Sequence, residues 1–291
     1  MERRLAEKEI DGRGLRAKHE AQKEGEKRIV SQLKKAGVST TRVDLSSLPR
    51  TLPPVDIVIA AGGDGTFLAA ASLVNDSTPV GHLCVGGKNP PVGLVSLLTS
   101  LDTKWTLRSR IAVRVEGAKG RTTPILALND VFIGETDSAK VSYYDISIDG
   151  SAPQRQKSSG MVVCSGTGSS AWFSSITRVH SSTAEDVLRA LSSLGISLPS
   201  SPALAEAVAE KVNEELSRPI DSSDLYFAIR EPIFNHTFHP TPTRGKATRI
   251  SLSSRCSNAV VVVDGTRSFP FDFGSRVTIE ISDNHSLRTL L

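Results

Sequence analysis

Val55–Asp56–Ile57–Val58–Ile59–Ala60–Ala61–Gly62–Gly63–Asp64–Gly65–Thr66 is the stretch on which the fold class turns. Its first seven residues are rich in β-branched side chains. They are bounded by Pro53–Pro54 and by Gly62–Gly63, which predicts a strand buried on both faces. Small and apolar residues from Thr66 to Val74 predict a helix packed closely on a sheet. Upstream, residues 1–36 read as a helix: Ile29, Leu33 and Ala36 recur at helical spacing, Lys34–Lys35 occupy the last turn, and Gly37 ends it. Helix, strand, glycine turn and helix together make an α/β pattern.

The glycine turn also carries chemistry. Glycines permit positive φ and close backbone approach, and a helix N-terminus offers free N–H donors to phosphate. An acidic residue among phosphates repels them, unless Asp64 accepts a proton from an attacking hydroxyl. The alternative is a tight turn with Asp64 as helix cap.

The pattern changes after Trp105. Ile111, Val113 and Val115 alternate with polar residues, as do Tyr144, Ile146 and Ile148, and Val277, Ile279 and Ile281. Period two predicts half-buried antiparallel strands, with hairpin turns at Asp149–Gly150 and Asp264–Gly265. Two helices interrupt this β-rich part. Ser182 and Glu185 read as a capping box, with Leu188 and Leu191 on the apolar stripe. The second helix has Pro202 in its first turn and Leu204, Val208, Val212 and Leu216 on one stripe, and Pro219 ends the pair. The domain boundary is placed near residue 106, giving domains 1–105 and 106–291. The C-terminal tail has the option of returning to the first.

Composition narrows the class. The 291 residues carry 35 Lys and Arg against 31 Asp and Glu, a net of +4. Residues 1–50 hold 13 against 8, and the other 241 hold 22 against 23, so the basic excess belongs to the N-terminal helix. No nucleic-acid partner is expected from that distribution. No apolar run approaches the ~20 residues that span a bilayer, so no membrane partner is expected. Glu2, Glu7, Glu9 and Asp11 do not fit an acid-poor transit peptide, which points to the cytoplasm or to a leader outside this chain. Cys84, Cys164 and Cys256 have no zinc spacing and read as reduced thiols, and the six His are scattered, so no metal ligand is assigned.

Two further clusters stand out. Asn129–Asp130 lies in Leu126–Ala127–Leu128–Asn129–Asp130–Val131–Phe132–Ile133, where adjacent polar residues inside an apolar strand are costly unless satisfied by a ligand or by protein. Ser165–Gly166–Thr167–Gly168–Ser169–Ser170–Ala171–Trp172–Phe173–Ser174–Ser175 is dense in small residues. It reads as a ligand-approaching turn with Trp172 as a wall, or as a flexible loop.

GGDGT, the Asn–Asp pair, the Gly–Ser–Ser–Ala–Trp stretch and Val263–Asp264–Gly265, in that order, resemble the NAD kinases. Residues 127–135, 156–160, 229–233 and 287–289 resemble the mitochondrial subgroup, and the likeness covers about residues 28–290. It implies an incomplete NAD kinase/diacylglycerol kinase-like α/β domain followed by a β-rich antiparallel domain with two inserted helices. It also implies transfer of the γ-phosphate of ATP, with Mg2+, to the 2′-hydroxyl of the adenosine ribose of NAD. By position, Asp64 is the base, and Gly62, Gly63, Gly65 and Thr66 line the phosphates. Asn129, Asp130, Ser170, Ala171, Trp172 and Ser175 contact NAD. Asp130 stands where the family usually has Glu, Ser159 where most members have Asp, and Ser170–Ala171–Trp172 where Thr–Ala–Tyr is usual. A strand and loop before Gly81–His82–Leu83–Cys84, and the family's opening strand, find no counterpart, so by the resemblance an incomplete or alternatively spliced version of the enzyme is expected. The resemblance further implies a homodimer and a mitochondrial location. The alternatives are a lipid kinase sharing the GGDGT loop and a catalytically inactive nucleotide-binding subunit.

Overall fold

The computed structural model describes residues 12–49, 52–75, 77–83, 105–117, 120–121, 124–196, 198, 201–216, 218–282 and 284–290. The chain divides into two compact units, Met1–Leu107 with Leu287–Leu291, and Arg108–Ser286.

In the first unit, helix α1 covers Gly12–Lys35. Residues 1–11 of the expected helix lie outside the described residues, as does Cys84. Gly37 follows at φ +75°, and the Val38 N–H returns to the Leu33 carbonyl. That left-handed step is one glycine takes at no steric cost. The buried stripe is Ile29 and Leu33, on which Val38, Ile59, Ala61 and Leu83 pack. Strand β1 is Val58–Ala61, shorter than the expected Val55–Ala61, and only Ala60 in it is fully buried. Val55 is 38% exposed. The reason is the partner strand: β2 (Val80–Leu83) runs parallel in the register Val58↔Val80, and Pro79 before it has no N–H to extend the ladder. Helix α2 (Asp64–Leu73) connects the two and buries Phe67, Ala70 and Ala71. The sheet order is β1-β2-β17-β3, where β3 is Thr106–Arg108 and β17 is Leu287–Leu290, parallel to β2.

The second unit is a pair of antiparallel sheets over one core. One sheet has the order β5-β4-β16-β13-β8-β9, with β6 also on β4. Its strands are β4 Ile111–Gly117, β5 Gly120–Arg121, β6 Ile125–Ala127, β8 Ser142–Ile148, β9 Gln154–Ser158, β13 Arg249–Ser254 and β16 Arg276–Ile281. The other has the order β12-β11-β10-β7-β14-β15. Its strands are β7 Asp130–Glu135, β10 Met161–Cys164, β11 Leu225–Ile229, β12 Arg244–Ala247, β14 Ala259–Val263 and β15 Arg267–Pro270. Ile111, Val113, Tyr144, Ile250 and Ile279 from the first meet Val131, Ile133, Met161, Val163 and Val261 from the second in one buried cluster. The period-two alternation at 111–115, 144–148 and 277–281 is this inward-facing set. Both hairpin turns form with positive φ: Asp149 +49° and Gly150 +79°, Asp264 +47° and Gly265 +65°. Asp and Gly are the residues that accept that geometry.

Three expectations need correction. Residues 126–133 are not one strand: β6 ends at Ala127, β7 starts at Asp130, and Leu128–Asn129 carry the chain from one sheet to the other. The Ser182–Glu185 capping box does not form, because helix α4 (Ser181–Ser193) begins earlier, with His180 as its cap and no side-chain bond there. The Ser165–Ser175 segment is no loop: Thr167–Ser170 is a 3-10 turn and Trp172–Thr177 is helix α3. Helix α5 is Pro202–Glu214, capped by Ser201, whose hydroxyl accepts from the Leu204 N–H at 3.2 Å. It packs on α4 through Ala205 and Ala209 against Ala184 and Leu188, with Leu204 and Val208 alongside. Leu216 falls beyond its end. Among the described residues no helix is long and apolar enough to cross a membrane.

Candidate functional site

The glycine turn of the first unit is tied to the sheet by backbone. The Gly62 N–H donates to Leu83 C=O at 3.0 Å, and the Gly63 carbonyl receives the Thr66 and Phe67 N–H groups. His82, a residue the motifs did not single out, lies 3.1 Å by Nε2 from the Gly62 carbonyl and stacks on Phe67 with centroids 4.8 Å apart. Gly63 is the helix cap and Asp64 the first helical residue, exposed, with no side-chain capping bond. Gly62, Gly63 and Gly65 do not use the positive φ that glycine permits. The close approach is real at Gly62, where a Cβ would stand 2.4 Å from Thr66 Oγ1. Gly63 and Gly65 differ: a Cβ on either meets nothing within 4 Å among the described residues. Neither backbone strain nor packing demands glycine there, so the space they leave faces outward.

The second unit holds the Asn129–Asp130 turn. Its backbone is clamped on both sides. The Asp264 carboxylate accepts the Leu128 N–H at 2.9 Å, the Asn129 N–H at 2.8 Å and the Asp130 N–H at 3.2 Å. The Asp264 N–H donates to Asp130 C=O at 2.9 Å. From the other side, Ser165 Oγ donates to Leu128 C=O at 2.5 Å and the Ser165 N–H to Asn129 C=O at 3.0 Å. No described protein group hydrogen-bonds the Asn129 amide or the Asp130 carboxylate. Asp130 is only 8% exposed. Burial first, and then the Asp264 charge, push its carboxyl up to about 6. Burial also raises the Asp264 carboxyl, offset in part by the three backbone donors. Cys164, opposite Asp130 in the β10–β7 register, is raised by burial and by the Asp130 charge, so it stands as a protonated thiol. Cys256 is likewise free and buried.

The small-residue turn packs directly on this pair. A Cβ on Gly168 would sit 2.0 Å from the Asn129 carbonyl oxygen, and one on Gly166 would sit 1.7 Å from that of Pro219. Gly168→Ala is therefore expected to cost about 1–3 kcal/mol, since backbone must move on both sides. Thermal unfolding checks it, and a melting temperature within about 1 °C of the parent's refutes the close approach. Trp172 is 41% exposed, its ring 5.4 Å from Phe132 and 5.6 Å from the Arg230 guanidinium. The Gly168 backbone thus closes on Asn129, and Trp172 packs on Phe132, two residues along β7 from Asp130. Ala171 is half-buried beside Trp172, while Ser170 and Ser175 are exposed on the turn and on α3, with no described hydrogen bond to Asn129 or Asp130. The sequence offers Asp264 as a hairpin residue and as part of the Val263–Asp264–Gly265 motif, but nothing in it shows that Asp264 and Ser165 clamp the Leu128–Asp130 turn. Bonds across 136 and 37 residues have no local signature.

No protein-family model matches the chain. It is 34% identical over 331 aligned positions to the human protein named NAD kinase 2, mitochondrial, covering 96% of this chain and 75% of the relative. That alignment is at least 40 positions longer than the 291-residue chain, so the relative carries segments that stand opposite gaps here. A solved NAD kinase from Archaeoglobus fulgidus in complex with ATP superposes with a TM-score of 0.59 at 17% identity, over 91% of this chain and 88% of that one. A yeast NADH kinase complexed with NADH superposes with a TM-score of 0.57 at 16% identity, over 81% of this chain and 61% of that one. The solved structures share the fold, and the human relative shares a third of its aligned residues across nearly the whole chain: the chain belongs to the NAD kinase family.

Proposed function

We propose that this protein transfers the γ-phosphate of ATP to the 2′-hydroxyl of the adenosine ribose of NAD, giving NADP and ADP. The observation that carries the reading is the Asp130 carboxylate: buried, without a donor, at the head of a fully clamped turn. Such a group is costly to keep unless a ligand supplies hydroxyl donors. Ribose hydroxyls are donors of that kind, and the Asn129 amide beside it offers both a donor and an acceptor to an adenosine. Trp172 supplies a flat apolar wall.

In this reading Gly62, Gly63, Gly65 and Thr66 receive the ATP phosphates, with free N–H groups at the start of α2 and open space over Gly63 and Gly65. The 2′-oxygen attacks the γ-phosphorus, the bond to the β-bridging oxygen breaks, and Asp64 takes the hydroxyl proton. Ser170, Ala171 and Ser175 complete the NAD contacts. Among the described residues no three His, Cys, Asp or Glu side chains gather to hold a metal. In this reading magnesium enters with ATP as part of the substrate, and no step is assigned to it. A mitochondrial setting and a homodimer are proposed with the enzyme, following the name of the human relative and the family resemblance. Purified protein incubated with NAD and Mg-ATP is expected to form NADP. Binding of NAD without turnover would indicate an inactive subunit, and phosphorylation of a lipid alcohol instead would overturn the reading.

A further inference from the structure

We propose that Asp264 is a positioning residue for nucleotide binding: its carboxylate holds the Leu128–Asp130 turn so that Asn129 and Asp130 present unpartnered side chains to the dinucleotide. The proposal rests on the kinase reading above and assigns a role to the one motif that reading leaves idle, Val263–Asp264–Gly265.

Every backbone N–H and C=O from Leu128 to Asp130 has a partner, and all come from Asp264 and Ser165. Both side chains that follow, Asn129 and Asp130, have none. A turn whose backbone is fully satisfied has no reason to rearrange, so its side chains keep their aim. Asp264 itself is used up: its side chain is 4% exposed, its oxygens take three backbone donors, and Arg267 stands 3.7 Å away while donating to Leu126 C=O at 2.6 Å. Buried to that degree, it does not reach a substrate and acts only through its neighbours.

The fold supplies an internal control. Asp149 has the same left-handed backbone, precedes glycine in the same way, and its carboxylate accepts the Thr248 N–H at 2.8 Å, the Thr248 hydroxyl at 2.7 Å and the Arg249 N–H at 2.8 Å. That is the same device holding the start of β13, with no unpartnered pair beside it and an exposed carboxylate. A hairpin aspartate of purely structural use looks like Asp149.

The test compares Asp264→Asn with Asp149→Asn. Asparagine tolerates positive φ and keeps the side-chain shape, so each variant loses the charge and exchanges one acceptor oxygen for an NH2 donor. Asp264→Asn is expected to raise the KM for NAD at least about tenfold, with the KM for ATP within about twofold and a smaller change in kcat. Asp149→Asn is expected to leave both KM values within about twofold, whatever it does to thermal stability. Ser165→Ala loosens the same turn from the opposite side and is expected to raise the NAD KM about three- to tenfold, and it decides the question if Asp264→Asn does not fold. A folded Asp264→Asn with an unchanged NAD KM, or an Asp149→Asn with the same rise, overturns the positioning role alone. A parent protein that forms no NADP overturns the kinase reading and this role with it.

Discussion

Asp64→Asn is expected to lower kcat for NADP formation by about 10²–10⁴-fold while the protein stays folded and still binds ATP. Asp64 is exposed and opens α2, and no described side chain or backbone group bonds its carboxylate. Its removal therefore breaks no contact, and the loss of a favourable charge at a helix N-terminus is worth only about 0.3–1 kcal/mol. Asparagine keeps the shape but cannot accept the hydroxyl proton. Removing a negative charge near the phosphates relieves repulsion, so the KM for ATP is expected not to rise. The measurement is a steady-state assay of NADP with a melting curve beside it. A variant retaining more than about a tenth of the parental kcat would rule Asp64 out as the base.

Asp130→Asn is expected to move stability and binding in opposite directions. The carboxyl sits at about 6 in the fold against an ordinary 3.8. The protonated form is thus the one the fold prefers. Its contribution is fully present below about pH 4 and is lost as pH rises through about 6. One pH unit corresponds to ~1.4 kcal/mol, so ionising Asp130 in place costs on the order of 3 kcal/mol. Asparagine escapes that cost. The variant is expected to melt several degrees above the parent at pH 8 and level with it near pH 4. It is also expected to bind NAD about 10–100-fold more weakly at pH 8, because charge-assisted hydrogen bonds to ribose are lost. Parent affinity for NAD is expected to fall as pH drops below about 6. Thermal melts at the two pH values and calorimetric titration with NAD read both halves. Equal melting at pH 8 would show that the carboxylate is not a stored cost.

Local chemistry was legible in the sequence, and long-range bonding was not. The strand–turn–helix around Gly62–Thr66, the inward alternation at 111–115 and 144–148, and both Asp–Gly hairpins rest on neighbouring residues, and the structure contains them. Val55–Ile57 read as strand from their side chains, while the start of β1 depends on where β2 begins, past Pro79. Leu126–Ile133 reads as one strand, since an apolar run does not announce a change of sheet; only the Asp264 and Ser165 clamps make the break affordable in polar terms. The Asn–Asp pair stands out in the sequence by its apolar neighbours. What satisfies its backbone and leaves its side chains bare lies far along the chain, at positions no periodicity connects.

The placement of β17 has a consequence for the order of assembly. Leu287–Leu290 lies beside β2, whose last residue is Leu83, so about two hundred residues separate two neighbouring strands. During synthesis the α1–β1–α2–β2 segment emerges early and must wait, with one flank of β2 open, until the whole β-rich unit has been made. Closing so long a span carries a loop-entropy cost and slows pairing. Leu287 and Thr289 end fully buried, so the unfinished state leaves a β2 edge and apolar surface accessible meanwhile. The part of the molecule that is made first is thus completed last, and its exposure to chaperones and proteases is set by the translation time of everything between.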